Sequence, residues 1–169
     1  MDKEIINNET QNIREICNSI KEMQETIMND IKKNTNALLF AFKYAPPEVM
    51  DDDFLDDIVK AKRFAIQIIP ERRISDNMIW TIIEHKNPRP LFAVPNYRIT
   101  KEMEDVIIDT FTTPGLQKYL LYMADIIEKE TVMRIILKIR KDLRVYTRKY
   151  IPTRFKYDEE ILELLGYDK

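Results

Sequence analysis

Four isoleucines, Ile6, Ile13, Ile20 and Ile27, fall seven residues apart at the start of the chain. Ile16 and Met23 stand between them at alternating three- and four-residue spacing, which makes an a/d stripe over about three heptads. An α-helix turns such residues to one side, and water leaves that side exposed at a cost until another helix covers it. The segment from about Asn8 to Tyr44 therefore reads as one long helix. Glu9 and Asp30 interrupt the d positions, and Asn34 takes an a position, where a buried amide fixes register at some expense of stability. The e and g places hold Thr10, Cys17 and Gln24, then Asn12, Ser19 and Thr26, in place of the Glu/Lys pairs of a simple dimer. Isoleucine at d disfavours parallel dimers, so a self-associating seam would favour three or four chains over two. The seam has an internal candidate partner as well. Val132, Ile136, Ile139, Leu143, Tyr146 and Tyr150 form a second stripe of helical spacing.

The expected fold is all-α. Two glycines in 169 residues argue against sandwiches, barrels and Gly-rich phosphate loops, which need backbone at positive φ. Prolines punctuate the helices. Pro46-Pro47 ends the first, which suggests an N-terminal helical arm over residues 1–45 and a helical body over 46–169. A second helix is expected from Asp51–Asp53 to about Ile69, and a short one from Ser75 or Asp76 through Glu84. Pro88, Pro90 and Pro95 make Leu91–Val94 an extended segment or a short strand. Further helices are expected from Thr100 to about Phe111, from Thr113-Pro114 onward with a break near Lys129–Thr131, and from Asp158 to Leu165 with Gly166 as its cap. The stretch 131–150 reads as one basic helix.

The net charge of −2 conceals a split. Residues 1–130 carry 17 Lys and Arg against 23 Asp and Glu, whereas residues 131–169 carry 10 against 6. Arg134, Lys138, Arg140, Lys141, Arg144, Arg148, Lys149, Arg154 and Lys156 stand over residues 131–157 against Asp142 alone. Up to Lys149 they project opposite the apolar stripe, a geometry suited to a phosphate backbone. Tyr146, Tyr150, Phe155 and Tyr157 lie among them and could stack on unpaired bases. A solvated face paired with local acids is the competing reading. DNA or RNA is thus a candidate partner beside a second copy of the chain.

Catalytic signals are weak. Asp52-Asp53-Phe54-Leu55-Asp56 matches the DDxxD string by which prenyl-diphosphate synthases hold magnesium. No second acidic motif accompanies it, and carboxylates at a helix start are favoured by the helix dipole. A metal on Asp52, Asp53 and Asp56 is the minor alternative. His85 is the sole histidine, Cys17 the sole cysteine, and Ser19 and Ser75 the only serines, so His-based triads and Cys-based zinc sites are excluded within one chain. No cofactor is expected. The N-terminus lacks the features of a signal peptide and no apolar run reaches membrane-spanning length, which points to a reducing cytoplasm. Scarce Gly and Ser beside abundant Ile fit a small viral or mobile-element protein without establishing one. The expectation is a non-enzymatic, oligomeric helical protein that binds nucleic acid through its basic segment. The alternative is a structural or adaptor protein built on helix–helix contacts alone.

Overall fold

Helix α1 runs over Asp2–Lys33, 32 residues or about 48 Å of axis at 1.5 Å per residue. The computed structural model describes residues 2–167, and the side chains of residue 11 and of 13–167. The expected continuation of this helix to Tyr44 is broken at Asn34, whose Oδ1 accepts from the Asn36 amide at 3.0 Å. A short polar side chain competing for backbone in this way ends the helix and starts the next. Helix α2 then covers Ala37–Tyr44 and stops at Pro46-Pro47.

The chain divides into two compact units, Met1–Met78 and Ile79–Lys169. The boundary expected after residue 45 is therefore displaced, and the reason is packing. Helix α1 lies against α2, against the 3₁₀ turn Pro47–Met50 and against helix α3 (Asp52–Ala61), so it belongs to its unit instead of standing apart as an arm. Asp51 caps α3 by accepting from the Phe54 amide at 2.7 Å. Helix α3 is shorter than expected, since Lys62 departs from helical backbone and a 3₁₀ turn, Arg63–Gln67, follows. Ile31, Leu38, Val49, Leu55, Ile58 and Val59 are fully buried. Each such side chain contributes about 1.5–3 kcal/mol of transfer free energy.

Helix α4 (Asp76–Glu84) carries the division between units, and Ser75 Oγ caps it by accepting from the Met78 amide at 3.1 Å. In the second unit the strand considered for residues 91–94 is absent. Asn87 caps a single helical turn, α5 (Pro88–Leu91), and no strand occurs among the described residues. Proline is at home in a first turn, where its missing N–H is not needed. Helix α6 (Lys101–Thr110) begins at Thr100, whose hydroxyl accepts from the Met103 amide at 3.3 Å. Helix α7 (Thr113–Tyr122) starts at Thr113, the residue expected as its cap, with Thr112 at the capping position and no side-chain cap bond.

The expected break arrives as a full connection, residues 123–128, before helix α8 (Lys129–Lys138). The single basic helix over 131–150 is not formed. Arg144 donates through Nε to the Ile139 carbonyl at 3.0 Å and through Nη2 to the Leu137 carbonyl at 2.8 Å, taking acceptors that a continuing helix would use. Three 3₁₀ turns, Lys141–Leu143, Val145–Tyr150 and Thr153–Phe155, replace the expected helix end. Val132, Ile136 and Ile139 of the expected stripe are buried, whereas Tyr146 is exposed, so the stripe loses its register where α8 ends. Helix α8 packs on α6, α7 and α9 (Glu159–Leu164). Asp158 caps α9 through the Ile161 amide, and Gly166 follows it at φ 85°, with the Tyr167 amide donating to the Leu162 carbonyl at 3.0 Å. That is the expected glycine cap.

Candidate functional site

The isoleucine seam divides along α1. Ile27 and Ile20 are half-buried, and Met23, Ile16 and Ile13 are 37%, 61% and 60% exposed; Ile31, an e position just beyond the seam, is buried. Ile6 lies outside the residues whose side chains are described. The C-terminal end of the seam is thus covered by α2, the Pro47–Met50 turn and α3, and Gln24 ties it there by donating to the Val49 carbonyl at 3.0 Å. Asn34, expected as a buried amide of the seam, is exposed and sits beyond the helix. A groove of about 500 Å³ lined by Ile27, Ala37, Phe40 and Ala41 together with Asp30, Lys33 and Asn34 runs from the seam onto α2. Phe40 and Tyr44 stack there at 6.5 Å between centroids, and Leu39 beside them is also exposed. The α2 face was not anticipated, although Phe40 and Tyr44 are four apart and so share a helix side.

The basic residues separate into two groups. On α8, Arg134 donates to Asp105 at 2.8 Å and Lys138 to Asp109 at 3.2 Å, both acids on α6. The hydrogen bond to Asp105 raises the Arg134 pKa above its ordinary value. Arg140 holds Asp142 through two bonds, at 3.2 and 2.9 Å. These three cations face local carboxylates. Asp105 and Asp109 repeat the four-residue spacing of Arg134 and Lys138, a signal in the sequence that pairing was available.

The second group follows α8. Over residues 143–157 stand Arg144, Arg148, Lys149, Arg154 and Lys156 with no acidic residue among them. Among the described residues none of the five forms an ion pair. Arg144 clamps the end of α8, as above. Arg154 does the same for the α7–α8 connection, donating to the carbonyls of Ala124 and Asp125, each at 2.9 Å, and to that of Ile127. The Arg148 guanidinium lies 4.8 Å from the Tyr167 ring centre, and Lys149 Nζ 5.0 Å from that of Tyr150. Lys141 and Lys156 have no side-chain partner among the described residues. Tyr146 and Tyr157 are 67% and 80% exposed.

All of the aspartate cluster but the exposed Asp53 is engaged by the surrounding structure. Asp51 is the α3 cap, Asp52 receives Arg73 at 2.7 Å, and Asp56 accepts from Ser75 Oγ at 2.5 Å and Asn77 Nδ2 at 3.2 Å. Asp57 receives Lys60 at 2.9 Å, which raises the lysine pKa. Among the described residues no three His, Cys, Asp or Glu side chains are placed to hold a metal ion. His85 is exposed, with Nδ1 2.8 Å from the Thr81 carbonyl, and Cys17 is an exposed free thiol on α1.

One buried polar node escaped the sequence reading. Glu104 is buried on α6 and accepts from Thr131 Oγ1 at 2.9 Å and from Lys101 Nζ at 2.7 Å. Its bond raises the Lys101 pKa. Tyr119 is fully buried and its hydroxyl has no hydrogen-bond partner among the described residues; burial, and then the charge of Glu104, push its pKa far up. No described helix is long and apolar enough to cross a membrane. No family model, curated protein or solved structure matches the chain.

Proposed function

We propose that this chain is a non-enzymatic assembly protein that associates with copies of itself through the N-terminal half of α1. The observation that carries the reading is the exposure of Ile13, Ile16 and Met23 on a seam whose C-terminal end is already packed inside its own unit. A helix that only covered its own unit would have no use for branched apolar residues at heptad spacing beyond that cover. Burying a side chain of this size contributes about 1.5–3 kcal/mol, so a few per chain suffice to hold a small bundle. Ile16 at d and the neutral e and g residues favour three or four chains over two. The groove between Ile27 and Phe40 adds apolar surface contiguous with the seam.

Sedimentation equilibrium on the full chain tests this. The expected mass is three or four times 20.3 kDa, falling to one chain in Ile13→Asp/Ile16→Asp with helical circular dichroism retained. A single-chain mass for the unsubstituted protein at all accessible concentrations overturns the reading. Nucleic-acid binding by a ridge along α8 draws less support, because Arg134, Lys138 and Arg140 face Asp105, Asp109 and Asp142.

A further inference from the structure

Within the basic run 131–157, the cations without a carboxylate partner stand beyond α8, on the 3₁₀ turns and their flanks, beside the exposed Tyr146 and Tyr157. The 3₁₀ turn Val145–Tyr150 has three residues per turn, so Tyr146 and Lys149 share one edge while Thr147 and Tyr150 share another. The second edge faces inward. Thr147 is fully buried, accepts from Gln117 Nε2 of α7 at 3.0 Å and donates to the Leu143 carbonyl at 3.2 Å. Tyr146 and Lys149 consequently face water from a turn fixed at its base. Tyr167 fixes it again, donating to the Val145 carbonyl at 3.3 Å while lying beneath Arg148. Ile151 and Pro152 then bury, Arg154 clamps the α7–α8 connection, and the chain emerges with Lys156 and the exposed Tyr157.

We propose that residues 141–157 form a binding site for single-stranded nucleic acid, with Tyr146 and Tyr157 stacking on bases and Lys141, Lys149 and Lys156 meeting phosphates. A largely exposed tyrosine ring offers a flat apolar face that any base can cover, and stacking of this kind tolerates sequence. A duplex keeps its bases stacked on each other and leaves such rings without a partner. It also favours a long straight ridge of charge, which the ion pairs of α8 and the end of that helix remove. An acidic peptide would use the lysines and leave both rings idle. A membrane surface would call for exposed aliphatic side chains, and Val145 is the one such residue in the segment 143–157. Arg144 and Arg154 add positive charge to the site while their hydrogen bonds hold the backbone. The proposal does not rest on self-association, since it concerns residues 79–169 and the seam lies in residues 1–78.

The test is fluorescence polarisation of the full chain with labelled oligouridylate, oligodeoxythymidylate, a duplex of each kind, and phosphatidylserine vesicles, across a salt series. Single strands are expected to bind, with a log–log salt slope of about −2 for three phosphate contacts at roughly −0.7 each. Tyr146→Ala and Tyr157→Ala are each expected to weaken single-strand binding about tenfold, while Tyr146→Phe keeps it. Lys149→Glu should abolish it, and Lys138→Glu, on the ion-paired face of α8, should leave it unchanged. Both tyrosines are exposed, so these variants keep the fold. No single-strand binding at low salt overturns the proposal, as does duplex binding of equal strength that ignores the tyrosines. Binding confined to vesicles overturns it too, in favour of a lipid surface. Loss of self-association with single-strand binding intact would sink the assembly reading alone.

Discussion

Arg154 is the residue whose replacement says most about how the second unit is held. Its guanidinium takes the carbonyls of Ala124, Asp125 and Ile127, all in the connection between α7 and α8. Hydrogen bonds to a charged donor contribute about 1.5–3 kcal/mol each when sheltered. Here the side chain is exposed, so water replaces much of what is lost, and the sum over three bonds is an upper figure. Arg154→Ala should destabilise the unit by about 2 kcal/mol, toward the large end of ordinary single substitutions. For a chain of this size that is a fall of about 4–8 °C in the unfolding midpoint. Arg154→Lys should recover less than half, because an ammonium cannot present the planar fork that reaches carbonyls on both sides of a turn. Amide hydrogen exchange gives the local assay. Residues 126, 127 and 132, whose amides close this connection and open α8, should lose protection first. An unchanged midpoint with unchanged exchange at those amides would refute the idea that the guanidinium caps the connection. It would leave Arg154 as another exposed cation.

Two further outcomes are expected. Asp158 receives Lys129 at 2.8 Å, and that hydrogen bond holds its carboxyl below the ordinary 3.8. A depressed acid stabilises the fold above its unfolded pKa and loses that contribution as pH falls through its folded value. Carboxyl titration by NMR should therefore find Asp158 below 3.8 in the parent and raised toward it in Lys129→Met, with the part due to the Ile161 amide retained; an unchanged titration would show that the pair does not form. Asp51→Ala removes the α3 cap and should cost about 1 kcal/mol in chemical denaturation, with Asp51→Ser recovering most of it. A neutral Asp51→Ala would assign the start of α3 to packing alone.

Much of the fold was legible because helix starts are local. Ser75, Thr100 and Asp158 each precede a helix by the spacing at which a side-chain oxygen reaches an amide three residues on, and each does so. Helix ends were harder. Helix α8 stops at Lys138, where Arg144, further along the chain, satisfies the Leu137 and Ile139 carbonyls, and neither pattern nor propensity records such a contact. The break at Asn34 is similar, since an asparagine inside a heptad is equally able to stay in a helix and pair with another chain. For the candidate site, the basic run was plain, but its division was not. Whether a lysine faces an aspartate or water depends on which helix lies beside it, and Asp105 and Asp109 reach α8 only through tertiary packing. Exposure of Tyr146 follows from a change from α-helix to 3₁₀ turn, which rotates the residue off the apolar stripe.

The contacts between α6 and α8 also determine how uniquely these helices can pair. Asp105 meets Arg134 and Asp109 meets Lys138 at one constant offset, so the two helices point the same way. Slide α8 by one turn, and either Asp105 finds Lys138 or Asp109 finds Arg134, so the exposed charges are a forgiving ruler with evenly spaced marks. Glu104 is the mark that does not repeat. In the native alignment its carboxylate meets the Thr131 hydroxyl, whereas a slip of one turn would set it against Ile135 or carry it past the start of α8. Facing an isoleucine, the sheltered carboxylate keeps Lys101 of its own helix but loses the Thr131 hydroxyl, at a cost of about 1–3 kcal/mol. One threonine hydroxyl thus works as the key of the pairing, and the visible ion pairs only follow where it turns.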